Sequence, residues 1–238
     1  MPFVPELFIG FSFGAAALLI AGNILQGAPL RNPSKLAGFL LIAGLAAIQC
    51  LHLGYLLNQF DQVHSPLYLV LLYGIAPSFY FYSRQLLIAE VGYRWTDAWH
   101  AAPMLLGLIL PYQLALPGAF LVGSGYLAWL AKIVYGLRRQ RRRFHLELLA
   151  LGTLFAIAVG VLLLGFIWPL LNETDFIGSY SMLIGLAFFA VTLTLLRFPN
   201  IAADVSEAVQ AAYAESTLKN IDKAAVLARL DALMQKDT

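Results

Sequence analysis

Polar side chains inside long apolar stretches are the residues of this sequence best placed to do chemistry. The richest group lies in the second apolar stretch and comprises Gln49, His52, Tyr55 and Gln59. Residues three or four positions apart lie on the same face of a helix, so this spacing predicts one polar face. Polar and ionisable groups are costly inside a membrane, which makes each of them a candidate for ligand binding.

Aromatic and polar residues in other apolar stretches are expected to complete a pocket around that face. The candidates are Tyr68, Tyr73, Tyr112, Gln113, Trp168 and Tyr180, with Ser179 and Ser181 beside Tyr180. A pocket of aromatic walls and a few polar groups suits a small-molecule or lipid ligand. The same side chains also suit interhelical hydrogen bonds and interfacial anchoring. For His52, both ligand or proton sensing and a structural role stay open.

Composition identifies the elements that must position these residues. Of the 238 residues, 61% are hydrophobic and 12% are charged, values typical of a polytopic membrane protein and not of a soluble domain. Seven apolar stretches approach or exceed the roughly 20 residues that cross a bilayer core. The sequence therefore predicts an all-α, seven-transmembrane-helix bundle with spans at 5–26, 36–58, 66–88, 97–113, 116–136, 147–169 and 178–198.

The distribution of Lys and Arg predicts the orientation of the bundle. Arg31 and Lys35 lie between spans 1 and 2, and Arg84 and Arg94 lie between spans 3 and 4, whereas the alternate connections carry neither Lys nor Arg. Basic residues mark cytoplasmic loops, so the N-terminus is expected outside and the C-terminus inside. The loop after span 5 should anchor to anionic lipid headgroups, or else form a nucleic-acid or regulatory surface, through Arg138, Arg139, Arg141, Arg142 and Arg143.

Motifs of enzymes, metal sites and cofactor sites are not found in the sequence. There is no HExxH, no GxSxG, no paired Cys or His at metal spacing and no phosphate-binding glycine loop. Span 7 contains no lysine, so a retinal Schiff base has no residue to form on. We therefore expect a non-enzyme without cofactor or metal. Cys50, the single cysteine, is expected to be a buried apolar thiol.

Four residues are candidates for a hinge or a relay. Pro77 should kink span 3 and Pro199 should end or bend the helix after span 7, because proline lacks the N–H that a helix needs. Asp97 and His100, one turn apart, suit a hydrogen-bonded pair that responds to bundle movement, although Asp97 also suits a helix cap. His64, in an outside loop, suits either pH sensing or an ordinary loop position.

The last 39 residues have a different composition from the rest. Residues 200–238 are rich in Ala, Asp, Glu and Lys and show two amphipathic helical patterns, the second over 220–236. An isolated amphipathic helix of this length is marginal in water, so its apolar face needs a partner. We expect a membrane domain over 1–199 and a cytoplasmic connector over 200–238, a homodimer formed through that connector, and further sequence beyond Thr238.

Three segments resemble parts of the membrane-bound AraC-type transcriptional regulators. The run from Gly74 to Leu86 is similar to that family's "GP-x-x-Y-x-Y-x-[RK]-x-L" end of the third span, with Ala76 in place of the usual Gly. The run from Trp99 to Pro103 resembles its "LLH-x-x-P" entry to the fourth span, and residues 213–234 resemble its connector. The resemblance implies a seven-helix sensor in a bacterial inner membrane. DNA binding would belong to a C-terminal helix-turn-helix domain that this chain lacks.

Two other classes of function stay open on the sequence. A small seven-span transporter would be expected to show a repeat between its three-helix halves, and spans 1–3 and 5–7 show no convincing match. A receptor coupled to another output domain, such as a kinase or cyclase, is distinguished from the transcriptional regulator only by the sequence beyond Thr238.

Overall fold

The computed structural model describes residues 3–25, 33–88, 94–136 and 145–198. Within them the chain forms seven α-helices, two short 3-10 helices and no strand, which confirms the all-α prediction. The predictions for the arginines of 138–143, Pro199 and the connector 200–238 lie outside these residues. The helices are α1 (Val4–Leu25), α2 (Pro33–Leu56), α3 (Pro66–Leu87), α4 (Ala102–Ile109), α5 (Tyr112–Gly136), α6 (His145–Ile167) and α7 (Glu173–Arg197).

Five of these helices are long and apolar enough to cross a membrane. Their spanning segments are Val4–Gly22, Leu36–Leu56, Tyr112–Tyr135, Gly152–Leu170 and Glu173–Arg197. α3 has 22 residues, but tyrosines, two prolines and Arg84 reduce its apolar character. α3 continues through Pro77 without ending there. Among the five, α6 buries the smallest share of its spanning segment and α7 the largest, so α6 presents most of its surface outward.

The region between α3 and α5 differs most from the predicted spans. In place of one helix over 97–113, a 3-10 helix (Trp95–Ala101) leads into α4, which has only eight residues. α4 ends because Pro111 forces Leu110 into an extended conformation, with ψ at 143°. α5 then begins at Tyr112, four residues before the predicted start of span 5.

α7 begins five residues earlier than predicted because a cap fixes its start. The side chain of Asn172 accepts a hydrogen bond of 2.8 Å from the backbone N–H of Asp175. Asn is a preferred N-cap residue, since its side-chain oxygen satisfies one of the free N–H groups of the first turn. Glu173 and Asp175 also favour this end of the helix through the helix dipole. Glu173 thus belongs to the first turn of α7 and not to a loop.

The helices pack in chain order around a closed bundle. Each of α1 to α3 packs on its successor, α3 also packs on α5, α5 on α6 and α6 on α7, and α1 returns to pack on α7. α2 additionally contacts α7 through the interior. α4 lies close to α3 at Gly107, which has no side chain. A Cβ atom added there would lie 2.9 Å from backbone atoms of Leu69 and Val70.

Cys50 lies on the outward face of α2, so the prediction of a buried thiol is wrong. Its neighbours Gln49 and His52 are both fully buried. The helical repeat rotates Cys50 away from those two inward positions. Apolar composition alone did not distinguish an inward from an outward face in this span.

Candidate functional site

A buried group of polar side chains connects four helices inside the bundle. We call it the polar core, and it comprises Ser12 of α1, Gln49 and His52 of α2, Tyr68 of α3 and Ser181 of α7, all with no exposed surface. His52 lies at its centre. Its Nε2 is 3.1 Å from the Tyr68 hydroxyl and its Nδ1 is 2.9 Å from the Ser181 hydroxyl. One imidazole therefore joins α2, α3 and α7.

The hydrogen-bond pattern fixes the tautomer of His52. The Ser181 hydroxyl donates its proton to the Ile177 carbonyl at 2.8 Å, so it can only accept from His52. Nδ1 of His52 then carries the proton, and Nε2 accepts from the hydroxyl of Tyr68. When the imidazole is neutral, each N–H and O–H group in this series of hydrogen bonds has an acceptor. Burial without a neighbouring carboxylate favours the same neutral form.

Gln49 extends the polar core to α1. Its Nε2 donates to the Ser12 hydroxyl at 3.0 Å and to the Ser181 carbonyl at 3.1 Å, and Ser12 donates in turn to the Phe8 carbonyl at 2.7 Å. A carbonyl can only accept, so the amide must present its nitrogen there. The amide oxygen Oε1 is buried and has no hydrogen-bond partner. This oxygen is the one acceptor of the polar core that is left without a donor.

Aromatic rings enclose the polar core. The Tyr180 ring is 5.3 Å from the His52 ring, and Phe120 and Phe176 pack against Tyr180 at about 6 Å between centroids. Tyr73 is buried away from this group, with its hydroxyl directed at Gly118 and without a hydrogen-bond partner. The predicted pocket residues in the bundle interior are thus packed together and do not line an open cavity.

A second group lies where the three connections without Lys or Arg meet at one end of the bundle. We call it the rim cluster, and it comprises Tyr55, Asp61, His64, Tyr112 and Glu173. The carboxylate of Glu173 accepts hydrogen bonds from the hydroxyls of Tyr55 at 3.2 Å and Tyr112 at 3.4 Å. His64 contacts the same carboxylate at 2.7 Å. Glu173 therefore connects α2, α5, α7 and the loop after α2.

The rim cluster borders an open cavity of about 330 Å³. Residues from the end of α2, the following loop and the start of α7 line it, namely Tyr55, Leu56, Asn58, Phe60, Asp61 and Thr174. Trp168 lies nearby, with its ring 6.1 Å from that of Tyr112. Two other predicted pocket residues, Gln59 and Gln113, are exposed at this end. The predicted single pocket is thus divided into a closed interior group and an open rim.

A third group lies at the opposite end of α3. Arg84 donates two hydrogen bonds to Asp97, at 2.9 and 2.7 Å, and Asp97 also accepts from the backbone N–H of Arg94 at 2.9 Å. The guanidinium of Arg84 holds the pKa of Asp97 down at about 2. His100 bonds to the Tyr126 hydroxyl at 2.7 Å and stacks on Tyr80 at 4.6 Å. The predicted relay residues thus contact α3 and α5, and Asp97 also has the capping contact.

Sequence reasoning missed several residues that complete these groups. Ser12 gave no signal, because a single serine in an apolar helix commonly bonds its own backbone. Glu173 was treated as a loop residue, although the Asn172 cap motif could have placed it on α7. The partner of Asp97, Arg84, was interpreted only as an orientation signal. Long-range pairs of this kind depend on how helices pack and are not encoded in local spacing.

No family model, curated protein or solved structure compared with the chain matches it. Side-chain contacts connect helices in three places: the polar core, the rim cluster and the group around Asp97 and His100. Each of the three contains an ionisable side chain. Among the described residues, no group of His, Cys, Asp and Glu has the geometry to hold a metal ion.

Proposed function

We propose that this chain is the membrane-embedded sensor domain of a one-component transcriptional regulator of the AraC type. The observation that carries the proposal is the position of His52, fully buried and bonded to α3 and α7 at once. Polar groups buried among membrane helices are expensive and mark functional positions by default. A bundle that only had to insert would not need a histidine at the junction of three helices.

The proposed bundle crosses the membrane seven times, with the N-terminus outside and the C-terminus in the cytoplasm of a bacterium. Basic residues support this orientation, and the helix packing supports the crossing count. Tyr112 at the start of α5 contacts Glu173 at the rim, whereas α3 ends near Arg84 and Asp97. The start of α5 thus lies at the end of the bundle opposite Asp97, which supports a fourth crossing although α4 has only eight residues.

Signal transfer is proposed as a population shift between two arrangements of the bundle. A small-molecule, lipid or ionic ligand at the rim would contact α2, α5 and α7 together, because Glu173 connects all three. A ligand shifts an equilibrium only by its difference in affinity for the two states. The hydrogen bonds of His52 in the polar core would then transmit a movement of α2 to α3 and α7. Pro77 in α3 and the segment after Arg197 are the proposed points of flexure.

The proposed output lies beyond α7. Residues 200–238 would connect α7 to a C-terminal helix-turn-helix domain and join two protomers through an apolar stripe. DNA binding would reside in that domain, and the arginines of 138–143 would contact anionic lipid. The candidate ligand residues of the polar core and the rim cluster would bind the ligand or respond to it. Asp97 and His100 would hold the cytoplasmic ends of α3 and α5 in a fixed relative position.

Transcript profiling of cells that carry the full-length gene tests this function. We expect a limited set of transcripts to change when the gene is deleted, and we expect His52→Leu to abolish their response to the stimulus while the protein stays in the membrane. A matched control is Gly152→Ala, whose added methyl group has open space around it. The proposal fails if no transcript responds. Solute uptake by vesicles that contain the purified chain would then favour the transporter.

A further inference from the structure

His64 lies between two carboxylates, each in contact with a different ring nitrogen. Nδ1 is 2.9 Å from Oδ2 of Asp61 and 3.0 Å from its Oδ1. Nε2 is 2.7 Å from Oε1 of Glu173. A carboxylate can only accept hydrogen bonds, so each nitrogen must carry a proton to donate. Only the doubly protonated imidazolium satisfies both contacts.

We propose that His64 is a proton-binding site that clasps the rim of the bundle, and that protons are the stimulus of this sensor. The proposal rests on the proposed function for the sensing role. Protonation takes one proton from the external solution, and both N–H groups then donate to carboxylates. Deprotonation returns that proton to water and leaves a lone pair of one nitrogen facing an anionic oxygen. The clasp then loses one of its two contacts.

The two contacts of His64 differ in what they connect. The Asp61 contact is local, between residues three apart in the same loop. The Glu173 contact connects that loop to the first turn of α7, and through the hydroxyls of Tyr55 and Tyr112 to α2 and α5. Proton loss that breaks the Glu173 contact therefore frees the ends of three helices from the loop. That is a structural change of the kind a sensor must transmit.

The surroundings of His64 contain no described cation that could replace it. The groups in contact with it are Asp61 on its own loop, Glu173 on α7 and Tyr112 on α5, whose ring is 4.6 Å from the His64 ring. Tyr55 on α2 bonds to the carboxylate of Glu173. Trp168 contacts Tyr112 and is uncharged. The connections 57–65, 110–111 and 168–172 contain neither Lys nor Arg. Histidine is thus the sole side chain of these connections able to carry a positive charge.

The suitability of His64 for binding protons follows from its side-chain type and its exposure. Histidine is the side chain that most readily gains and loses a proton under physiological conditions. His64 is 42% exposed in its side chain, so protons from the external solution reach it directly. His52, by contrast, is fully buried and has both nitrogens satisfied in the neutral state. The two histidines therefore have different roles.

Nitrogen NMR of the purified full chain, with ¹⁵N in the histidine rings, tests the clasp. His64→Gln identifies the His64 signals among the four histidines. We expect both ring nitrogens of His64 to carry protons in acid and one of them to lose its proton in alkali. At a pH where both forms are present, Glu173→Gln should lower the ratio of imidazolium to imidazole, because the imidazolium loses one of its two acceptors.

Asp175→Asn is the matched control, because it removes the same charge from the same turn of α7, where Asp175 contacts Asn172. This variant should leave the ratio within about 1.5-fold of the wild-type value, since charges separated by solvent are screened. Equal ratios in the wild type and Glu173→Gln would overturn the clasp. So would equal effects of Glu173→Gln and Asp175→Asn.

The sensing role has a separate readout in cells that carry the full-length gene. We expect the regulated transcripts to differ between acidic and alkaline external medium, and His64→Gln to remove that difference. A pH response that persists unchanged in His64→Gln overturns the assignment of protons at this site. If the transcripts respond to another ligand but never to pH, protons are not the stimulus, and the proposal that the protein is a transcriptional regulator is unaffected. Absence of any regulated transcript is the failure of the proposed function itself.

Discussion

Replacement of Asp97 by Asn tests whether the ion pair with Arg84 holds the end of α3 against the segment before α4. Two charge-assisted hydrogen bonds of 2.9 and 2.7 Å join the pair, and their side chains are only 8% and 12% exposed. Asn keeps the shape of Asp but removes the charge. It leaves the guanidinium in a mostly dry site without its anion, which is the costly way to break such a pair.

The magnitude follows from the pKa of Asp97. The Arg84 guanidinium lowers the pKa of Asp97 from 3.8 to about 2, with the backbone N–H of Arg94 assisting. A difference of this size corresponds to about 2 kcal/mol of stability at neutral pH. Because the folded-state pKa is the lower one, the stabilisation is complete above pH 3.8 and is lost as pH falls through 2. At about pH 3 roughly half of it should remain.

Unfolding of the purified chain by a denaturing detergent measures this effect. We expect Asp97→Asn to lower the free energy of unfolding by about 2–3 kcal/mol near pH 7 and by about half as much near pH 3. Asp175→Asn is the control, because Asp175 is exposed at the start of α7 and does not contact Arg84. It should change the free energy by less than about 0.5 kcal/mol.

A double-mutant cycle separates the pair from other effects of the substitution. The combined variant Arg84→Gln with Asp97→Asn should be less destabilised than the sum of the single variants, because it also removes the guanidinium that loses its carboxylate in Asp97→Asn. The reasoning is refuted if Asp97→Asn costs less than about 0.5 kcal/mol near pH 7, or if its cost does not diminish in acid.

Three further predictions concern the interior and the outward face of the bundle. His52→Leu leaves the buried hydroxyl of Tyr68 without an acceptor and removes the donor to Ser181, and it should destabilise the chain by about 1–3 kcal/mol in the same unfolding assay; an unchanged stability would contradict the polar core. Gly165→Ala should cost about 1–3 kcal/mol, because its methyl group would overlap the ring of Phe120, whereas Gly152→Ala has open space and should be neutral. A spin label attached to Cys50 in detergent should be relaxed, once the chain is in a bilayer, more by membrane-soluble oxygen than by a charged water-soluble reagent; the reverse order would contradict its outward, lipid-facing position.

The helical architecture could be predicted from the sequence because apolar runs of spanning length have few alternatives. In a membrane every backbone group must be satisfied within the chain, which leaves helices or closed barrels. The boundaries of the helices were predictable only where proline or a basic loop marked them. α4 and the start of α7 were misplaced because caps and 3-10 turns depend on single residues such as Pro111 and Asn172.

The candidate site could be predicted in part for a related reason. Helical spacing correctly placed Gln49 and His52 on one buried face with Tyr68 and Tyr180 near them. Spacing could not show that Tyr55 turns towards Glu173 and away from His52, since that depends on where α2 ends relative to α7. It also could not identify Ser12 or Arg84 as partners, because both contacts are set by interhelical packing. The ligand-binding role of these residues stays a prediction.

The gene sequence beyond codon 238 tests the central claim most directly. Under the proposed function we expect roughly a hundred further residues that contain two helix-turn-helix units, as the resemblance to the AraC-type regulators implies. That result would place DNA binding in the same polypeptide as the His52 bundle. A stop codon directly after Thr238 would contradict the one-component regulator.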